Sequence, residues 1–180
     1  MNTHQQLIID KLSSVLDGVN PSYDQDLVAM LDAANRVFIT GAGRSGLVTR
    51  FFGMRLLHSG YQVFIVGEVA TPSIQDGDLL IIISGSGETT QLVSFGNVAK
   101  KMGAKVMLIS ASGKSTIGDL ADGVFQIGSD TDYNPKTPAM PMGSVFELST
   151  LLFLEATVSY IMEKKGLDEA GMRAIHANME

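Results

Sequence analysis

The 180-residue sequence contains no cysteine, which excludes a disulfide framework and a thiolate metal site. This absence fits a reducing compartment, and we expect a cytoplasmic protein. Runs of Lys and Arg are also lacking and the formal net charge is −6, so a nucleic-acid partner is not expected. No uninterrupted apolar run reaches the roughly 18 residues of a membrane span. Residues 1–12 lack the basic start and long apolar core of a signal peptide, so we expect no membrane partner.

What the sequence does have is a regular alternation of short apolar runs with segments of helical spacing. The apolar runs predict strands at residues 36–40, 61–66, 79–83, 105–110 and 124–127. Helices are predicted at residues 4–17, 23–34, from after 46 to about 58, 91–102, 115–121, 144–165 and 168–176. Near-continuous apolar strands are typical of a parallel sheet that is buried on both faces. We therefore predict an α/β fold, a three-layer sandwich with a five-stranded parallel sheet, in a single domain over residues 1–180.

One stretch joins a predicted buried strand to a helix through Ser-Gly-Ser-Gly-Glu-Thr, residues 84–89. Such a loop directs backbone N–H groups, hydroxyls and the positive end of a helix dipole at one point, which favours phosphate. The predicted substrate-binding residues here are Ser84, Gly85, Ser86, Gly87, Glu88 and Thr89. Glu88 would repel a phosphate dianion, so we expect its carboxylate to point away and to complement the helix dipole. The alternative is a plain strand-to-helix turn with a Ser or Thr cap.

A second glycine-rich turn follows the first predicted strand, at residues 41–46, with the spacing G-x-G-x-x-G. That spacing fits a dinucleotide site, for which Glu68 would be a late candidate for the required acid. A basic residue in the middle of the turn and the hydroxyl-rich loop two strands later favour one small phosphorylated ligand held between both loops. In that interpretation Gly43, Arg44 and Ser45 contact its sugar or phosphate.

Glu147 follows a proline-rich loop and lies at the start of the long predicted helix. Ser144 to Glu147 has the spacing S-x-x-E of a capping box, in which the acid only bonds back to the backbone. The spacing alone leaves this structural role and a catalytic role equally open. His58 closes a predicted helix, and His176 lies near the C-terminus, where it gains a role only if the tail docks on a site, in its own copy or a neighbouring one.

The long predicted helix has a wide apolar stripe, which indicates that part of it packs against another subunit. Its members are Val145, Phe146, Leu148, Leu151, Leu152, Leu154, Val158, Ile161 and Met162.

The pairing of Gly-Ala-Gly-Arg-Ser-Gly at residues 41–46 with Ser-Gly-Ser-Gly-Glu-Thr at 84–89 resembles the sugar isomerase (SIS) domain family. Residues 51–61, 141–147 and 176–180 are similar to the 6-phospho-3-hexuloisomerase branch of that family. The resemblance covers essentially the whole chain. It implies a flavodoxin-like SIS fold and the interconversion of 3-hexulose 6-phosphate and fructose 6-phosphate, in formaldehyde assimilation or detoxification by the ribulose monophosphate pathway.

The resemblance also implies roles for individual residues. Phosphate would be held by Ser84, Ser86 and Thr89 with the intervening amides, and by Ser45. Glu147 would be the proton-transfer base, and His176 would be the tail histidine that reaches a site. It further implies a homo-oligomer, a tetramer. The isomerisation itself needs no metal and no redox cofactor, since one carboxylate can transfer the proton, and the sequence offers no cluster of His, Cys and acids for a metal. Two other functions stay open: another phosphosugar aldose–ketose isomerase, and a non-catalytic sugar-phosphate-binding SIS module.

Overall fold

The computed structural model describes residues 2–130, 140–176 and 178. Its strands are β1 (Val37–Gly41), β2 (Val63–Ile65), β3 (Leu79–Ile83), β4 (Lys105–Ser110) and β5 (Gly123–Gln126). Its helices are α1 (Thr3–Leu16), α2 (Tyr23–Ala33), α3 (Gly43–His58), α4 (Thr90–Lys101), α5 (Thr116–Leu120), α6 (Ser144–Lys165) and α7 (Glu169–Ala174).

All five strands are parallel and lie in the order β2-β1-β3-β4-β5, which confirms the predicted α/β fold and is the flavodoxin-like order. Ile39 of β1 pairs with Ile65 of β2 on one side and with Ile81 of β3 on the other. β2 is only three residues long, where the sequence predicts six. It is an edge strand and its residues are only partly buried, so there is less packing to extend it.

The two faces of the sheet support two separate hydrophobic cores. Residues such as Ile39 and Ile81 face a core shared with α1, α2, α3 and α6. Their neighbours in sequence, such as Phe38 and Ile82, face a core shared with α4 and α5. This alternation follows from the two-residue period of a strand and confirms the three layers.

The helices that leave β1 and β3 lie on opposite faces, although these two strands are neighbours. α3 follows β1 into the first core, and α4 follows β3 into the second. The order of strands reverses at this point, so a crevice opens beyond the carboxyl ends of β1 and β3. Both glycine-rich loops lie at that crevice.

α6 is long and apolar enough, by length and composition, to cross a membrane. Half of its most apolar stretch is buried inside the fold, where α6 packs against α1, α2 and α3, as a core helix does. The prediction that the chain has no membrane span was based on uninterrupted apolar runs, whereas the apolar residues of α6 are interrupted by polar ones. Much of the predicted apolar stripe is also buried within the chain, while Leu152 is 45% exposed.

At the amino-terminal edge of the sheet, ion pairs join segments that precede different strands. Arg36, before β1, donates from Nε to Asp78 Oδ1 at 3.0 Å and from Nη2 to Asp78 Oδ2 at 2.6 Å. Asp78, before β3, is buried. Lys100 and Lys105 donate to Asp122, before β5, at 2.8 and 3.2 Å. Ion pairs between these segments therefore stabilise the amino-terminal edge of the sheet.

Candidate active site

The loop after β3 is fixed by hydrogen bonds from the neighbouring strand. The carbonyl of Gly85 accepts from Ser110 Oγ at 3.0 Å and from the Ala111 amide at 3.1 Å. Within the loop, buried Ser84 accepts from the Gly87 amide at 3.2 Å through its Oγ. The main chain of the loop is therefore held in place by the folded protein itself.

Gly87 has no space for a side chain. Its φ is +66°, and a Cβ there would lie 2.1 Å from Ser115 Oγ. Ser115 caps α5, where its Oγ accepts from the Gly118 amide at 3.1 Å. The close approach of α5 to the loop thus requires glycine at this position, both for backbone conformation and for space.

Ser86 and Thr89 lie at the open side of the loop, and both are partly exposed. Ser86 Oγ accepts from the Glu88 amide at 3.2 Å. Thr89 is the residue before α4, yet its side chain makes no capping hydrogen bond to that helix. The plain-cap alternative therefore does not describe Thr89.

The carboxylate of Glu88 is directed towards α5. Its oxygens accept from the amide of Thr116 at 2.7 Å and from the hydroxyl of Thr116 at 2.6 Å. The hydroxyl bond first, and then the amide bond, lower the pKa of Glu88 below its ordinary value. The carboxylate is thus turned to α5, as expected for an acid that would repel phosphate, but the helix start that it complements belongs to α5 and not to α4.

The first glycine-rich loop places its residues at the start of α3. Gly43 has a φ of +57°, and a Cβ there would meet nothing within 4 Å, so the main chain is open at this point. Ser45 is buried, and the Arg44 side chain is 58% exposed. Glu68, the acid that a dinucleotide site would use, forms an ion pair with Arg50 of α3. This pairing favours the small-phosphate interpretation of the loop over the dinucleotide one.

Glu147 lies in the first turn of α6, and the residue is only 9% exposed. Its carboxylate accepts a hydrogen bond from Arg44 Nε of α3, which lies 103 positions earlier in the chain. This contact brings the candidate base to the helix that starts at the first glycine-rich loop. Both glycine-rich loops, the first of which includes Arg44, and Glu147 therefore lie at the carboxyl-terminal edge of the sheet.

The capping-box alternative for Glu147 is wrong. Ser144 is the first helical residue, and its Oγ donates to the Pro141 carbonyl at 2.6 Å. The residue before the helix is Gly143, with a φ of 79°. Because Ser144 is not the cap, Glu147 has no capping partner, and its carboxylate is directed at Arg44 instead.

Three helix starts near the crevice share a property. Among the described residues, no side chain at the position before α3, α4 or α6 makes a capping hydrogen bond. Of the other helices, α1, α5 and α7 are capped by Asn2, Ser115 and Asp168, whereas α2 also begins without a side-chain capping bond. Uncapped amides and the positive helix end favour an anion, which supports a phosphate site at the loops after β1 and β3.

The structure does not bring His176 to this site within one chain. His176 stacks on His58 at the far end of α3, with ring centroids 5.0 Å apart. Arg44 and His58 are separated by 14 residues of helix, which is about 21 Å. The two histidines line a separate cavity of about 620 Å³. The predicted catalytic histidine and the predicted base therefore lie at opposite ends of α3.

Sequence reasoning gave no role in the site to Ser110 and Thr116, whose hydroxyls bond the loop after β3, or to Ser115, which packs against Gly87. The sequence feature that could have identified these residues is a hydroxyl at the end of β4 and two more at the start of α5, close to the same edge of the sheet. Across the described part of the chain, no group of three or more His, Asp and Glu side chains is arranged to hold a metal ion.

Comparison with known proteins identifies the family. A sequence model of the SIS domain matches residues 30–157. The chain belongs to the SIS domain family. One SIS relative, the 3-hexulose-6-phosphate isomerase of Methylomonas aminofaciens, is 54% identical over 181 residues, which cover 100% of both chains. Another, the 3-hexulose-6-phosphate isomerase of Bacillus subtilis (strain 168), is 43% identical over 151 residues, or 82% of each chain.

A solved SIS-like structure supports the same fold. It is a protein of Methanococcus jannaschii for which a function of 3-hexulose-6-phosphate isomerase has been inferred. It matches this chain with a TM-score of 0.87 and 30% identity, and the match covers 98% of each chain. The predicted SIS fold is therefore confirmed.

Proposed function

We propose that this SIS protein is a 6-phospho-3-hexuloisomerase, which interconverts D-arabino-3-hexulose 6-phosphate and D-fructose 6-phosphate. The observation that supports this best is the position of Glu147, a mostly buried carboxylate bonded to Arg44 at the edge where the hydroxyl-rich loop ends. The full-length identity to the Methylomonas isomerase supports the choice of substrate. In this proposal the crevice offers a sugar phosphate both a phosphate-binding site and a catalytic base.

Glu147 acts as the base in this proposal. Moving the carbonyl from C3 to C2 requires removal of the C2 proton, formation of an enediolate and delivery of a proton to C3. One carboxylate can accept the first proton and return it to the other carbon, while the hydroxyl proton moves from O2 to O3. The exchange is balanced without a metal or a redox cofactor. Arg44 orients the carboxylate and places a positive charge beside the enediolate oxygens.

The two glycine-rich loops hold the phosphate. Ser84, Ser86 and Thr89, with the amides between them, and Ser45 of the first loop surround it in this proposal. Gly43, Gly85 and Gly87 allow the main chain to approach closely. Glu88 belongs to the same loop but takes part only through its backbone, because its carboxylate bonds Thr116.

His176 acts at the site of a neighbouring copy in this proposal, because about 21 Å of helix separates the two ends of α3 in its own chain. Its role would be enediolate stabilisation or hydroxyl proton transfer. In the direction that starts from 3-hexulose 6-phosphate a ring-opening acid is not needed, since a 3-ketose phosphorylated at O6 cannot close a five-membered hemiketal. The proposal includes a cytoplasmic homo-oligomer, a tetramer, that serves formaldehyde assimilation or detoxification.

The deciding experiment compares purified protein on three substrates: 3-hexulose 6-phosphate, arabinose 5-phosphate and sedoheptulose 7-phosphate. We expect kcat/KM for 3-hexulose 6-phosphate to exceed the other two at least a hundredfold. Preference for either other sugar would assign the chain to another phosphosugar isomerase. Binding of a sugar phosphate, measured by calorimetry, without turnover of any of the three would indicate a non-catalytic module.

A further inference from the structure

Two hydroxyl side chains of α6 are buried without a protein partner. Ser149 and Thr150 are both 0% exposed, and within the described ranges neither hydroxyl makes a hydrogen bond. A buried polar group without a partner lowers the stability of the fold, so native proteins retain few of them. Both residues lie within one helical turn of Glu147, which directs attention to the candidate base.

Elsewhere on α6, hydroxyls of the same kind are bonded by the helix itself. Thr157 Oγ1 donates to the Phe153 carbonyl at 3.1 Å. Ser159 Oγ donates to the Glu155 carbonyl at 3.3 Å. In each case the acceptor is the carbonyl four positions earlier, the usual partner of a Ser or Thr side chain in a helix. Thr150 does not make this bond, so its hydroxyl remains able to bond another group.

Thr150 and Glu147 lie on the same face of α6. They are three positions apart, a spacing that places two helical side chains beside each other, with Cβ atoms about 5–6 Å apart. Ser149 is two positions from Glu147 and projects about 160° away from it around the helix. Rotation about the side-chain bonds of Glu147 therefore brings its carboxylate to the hydroxyl of Thr150 and not to that of Ser149.

The carboxylate of Glu147 depends on one donor from another helix. Arg44 Nε bonds Oε2, and in the part of the chain that the structure describes Oε1 makes no hydrogen bond. The Arg44 side chain is 58% exposed, whereas that of Glu147 is 11% exposed. An anionic substrate attracts the exposed guanidinium. When Arg44 moves towards the enediolate oxygens, the largely buried carboxylate needs a second donor.

We propose that Thr150 is a positioning residue for Glu147, and that its hydroxyl donates to the carboxylate in the reacting complex in place of Arg44. This rests on the proposed function, in which Glu147 is the base. The hydroxyl bonds one carboxylate oxygen, and the other oxygen takes the proton from C2 and returns it to C3. Because this donor and the base are on the same helix, the base stays in place while the arginine follows the substrate.

Such a bond affects the rate and not the affinity. It is absent from the free protein and is made as charge develops on the substrate, so its free energy lowers the barrier to the chemical step. The unbonded hydroxyl of the free protein is a small loss of stability that is recovered during catalysis. Stability and activity should therefore respond in opposite directions to removal of the hydroxyl.

The first test is Thr150→Val, which replaces the hydroxyl by a methyl group of similar size. The free energy of unfolding, measured by urea denaturation, should rise, because a buried hydroxyl without a partner is removed. With 3-hexulose 6-phosphate, kcat should fall about tenfold and KM should stay within about twofold. Thr150→Ser keeps the hydroxyl and should retain most of kcat. Unchanged kcat in Thr150→Val, or a loss of kcat together with a loss of stability, would overturn the proposal.

Two variants on the same helix are matched controls. Ser149→Ala also removes a buried hydroxyl without a protein partner, but on the side of α6 away from Glu147, and should leave kcat unchanged. Thr157→Val removes a hydroxyl that is bonded, so it should lower stability and leave kcat unchanged. A fall in kcat for Ser149→Ala equal to that of Thr150→Val would assign the effect to the packing of α6, and the proposal would be wrong.

A double-mutant cycle with Arg44→Met tests the exchange of partners without substrate. Removal of the guanidinium leaves the Glu147 carboxylate to the Thr150 hydroxyl. Thr150→Val should then destabilise the Arg44→Met chain, although it stabilises the unmodified chain. Urea denaturation of the four proteins measures this reversal of sign, and an equal effect of Thr150→Val in both chains would overturn the proposal. No turnover is involved, so failure here is distinct from failure of the proposed isomerase activity.

Discussion

At the amino-terminal edge of the sheet, the carboxylates of Asp78 and Asp122 bind cations from segments beside neighbouring strands. At the carboxyl-terminal edge, the helices that follow β1 and β3 begin without side-chain caps, and Arg44 is largely exposed. The same parallel sheet thus has one end whose polar groups are paired and one whose amides are available to a ligand. We expect the amino-terminal edge of the sheet to contribute mainly to stability and the carboxyl-terminal edge mainly to ligand binding. Substitutions at each edge can test this division.

The largest effect is expected at the carboxyl-terminal edge, from Glu147→Gln. The amide retains the shape of the carboxylate but cannot accept the C2 proton, so kcat should fall by about 10³-fold or more. Binding of substrate, measured by calorimetry, should change little, and the thermal midpoint should stay within a few degrees. Glu155→Gln is the matched control, because it removes an acid on the same helix that also pairs with an arginine. Near-normal turnover of Glu147→Gln would remove Glu147 from the chemistry.

The amino-terminal edge should respond in the opposite way to Asp78→Asn. This change leaves the partly exposed Arg36 with a neutral partner at a buried position and should lower the free energy of unfolding by about 2 kcal/mol. Urea denaturation measures this, with exposed Glu163→Gln as the control. kcat and KM below the unfolding range should be unchanged. A loss of activity without a loss of stability would contradict the division between the two edges.

A smaller effect is expected from Ser86→Ala in the hydroxyl-rich loop. Loss of one hydrogen bond to phosphate should raise KM about tenfold with little change in kcat, because the bond is made equally in the ground and transition states. Ser94→Ala, at an exposed position on α4, is the control. A KM equal to that of the unmodified protein would exclude Ser86 from the phosphate site.

The smallest effect concerns Asp122 and pH. Partial burial alone would raise the pKa of Asp122, but hydrogen bonds from Lys100, the Val106 amide and Lys105 outweigh it and lower the pKa to about 2. Because the folded pKa lies below the ordinary 3.8, the stabilisation is present above about pH 4 and is lost as the pH falls towards 2. Asp122→Asn should therefore be less stable at pH 7 by up to about 1 kcal/mol. The difference, followed by urea denaturation, should disappear near pH 2; a constant difference would exclude the ion pairs as its cause.

Much of this division could be predicted from sequence. Apolar runs that end in glycine-rich loops predicted the parallel sheet, and the two loops after β1 and β3 predicted the crevice. Local spacing could not assign Glu147, because S-x-x-E fits a capping box as well as a free acid. The folded chain rules out the capping box and shows a contact of Glu147 with Arg44, which is distant in sequence and close only after the sheet has formed. The catalytic role of Glu147 stays a proposal.

His176 and the exposed apolar residues of α3 show the same limit. The tail histidine was a catalytic candidate, but its position on His58 depends on how α7 packs at the end of α3. Sequence favoured α6 as the helix that packs against another subunit. The spacing of Leu47, Phe51 and Met54 was also visible in the sequence, yet only the packing of Val48 and Phe52 into the core shows which side of α3 faces outward.

The bonds that fix the loop after β3 have a consequence for the thermodynamics of binding. Gly85 is held by Ser110 and Ala111, and Glu88 is held by Thr116, before any ligand arrives. The conformational entropy of ordering this loop is lost during folding and not again during binding. Calorimetry of a sugar phosphate should accordingly show little entropic penalty from the protein chain, and weakening these bonds should make the entropy of association less favourable before it changes any contact to the phosphate.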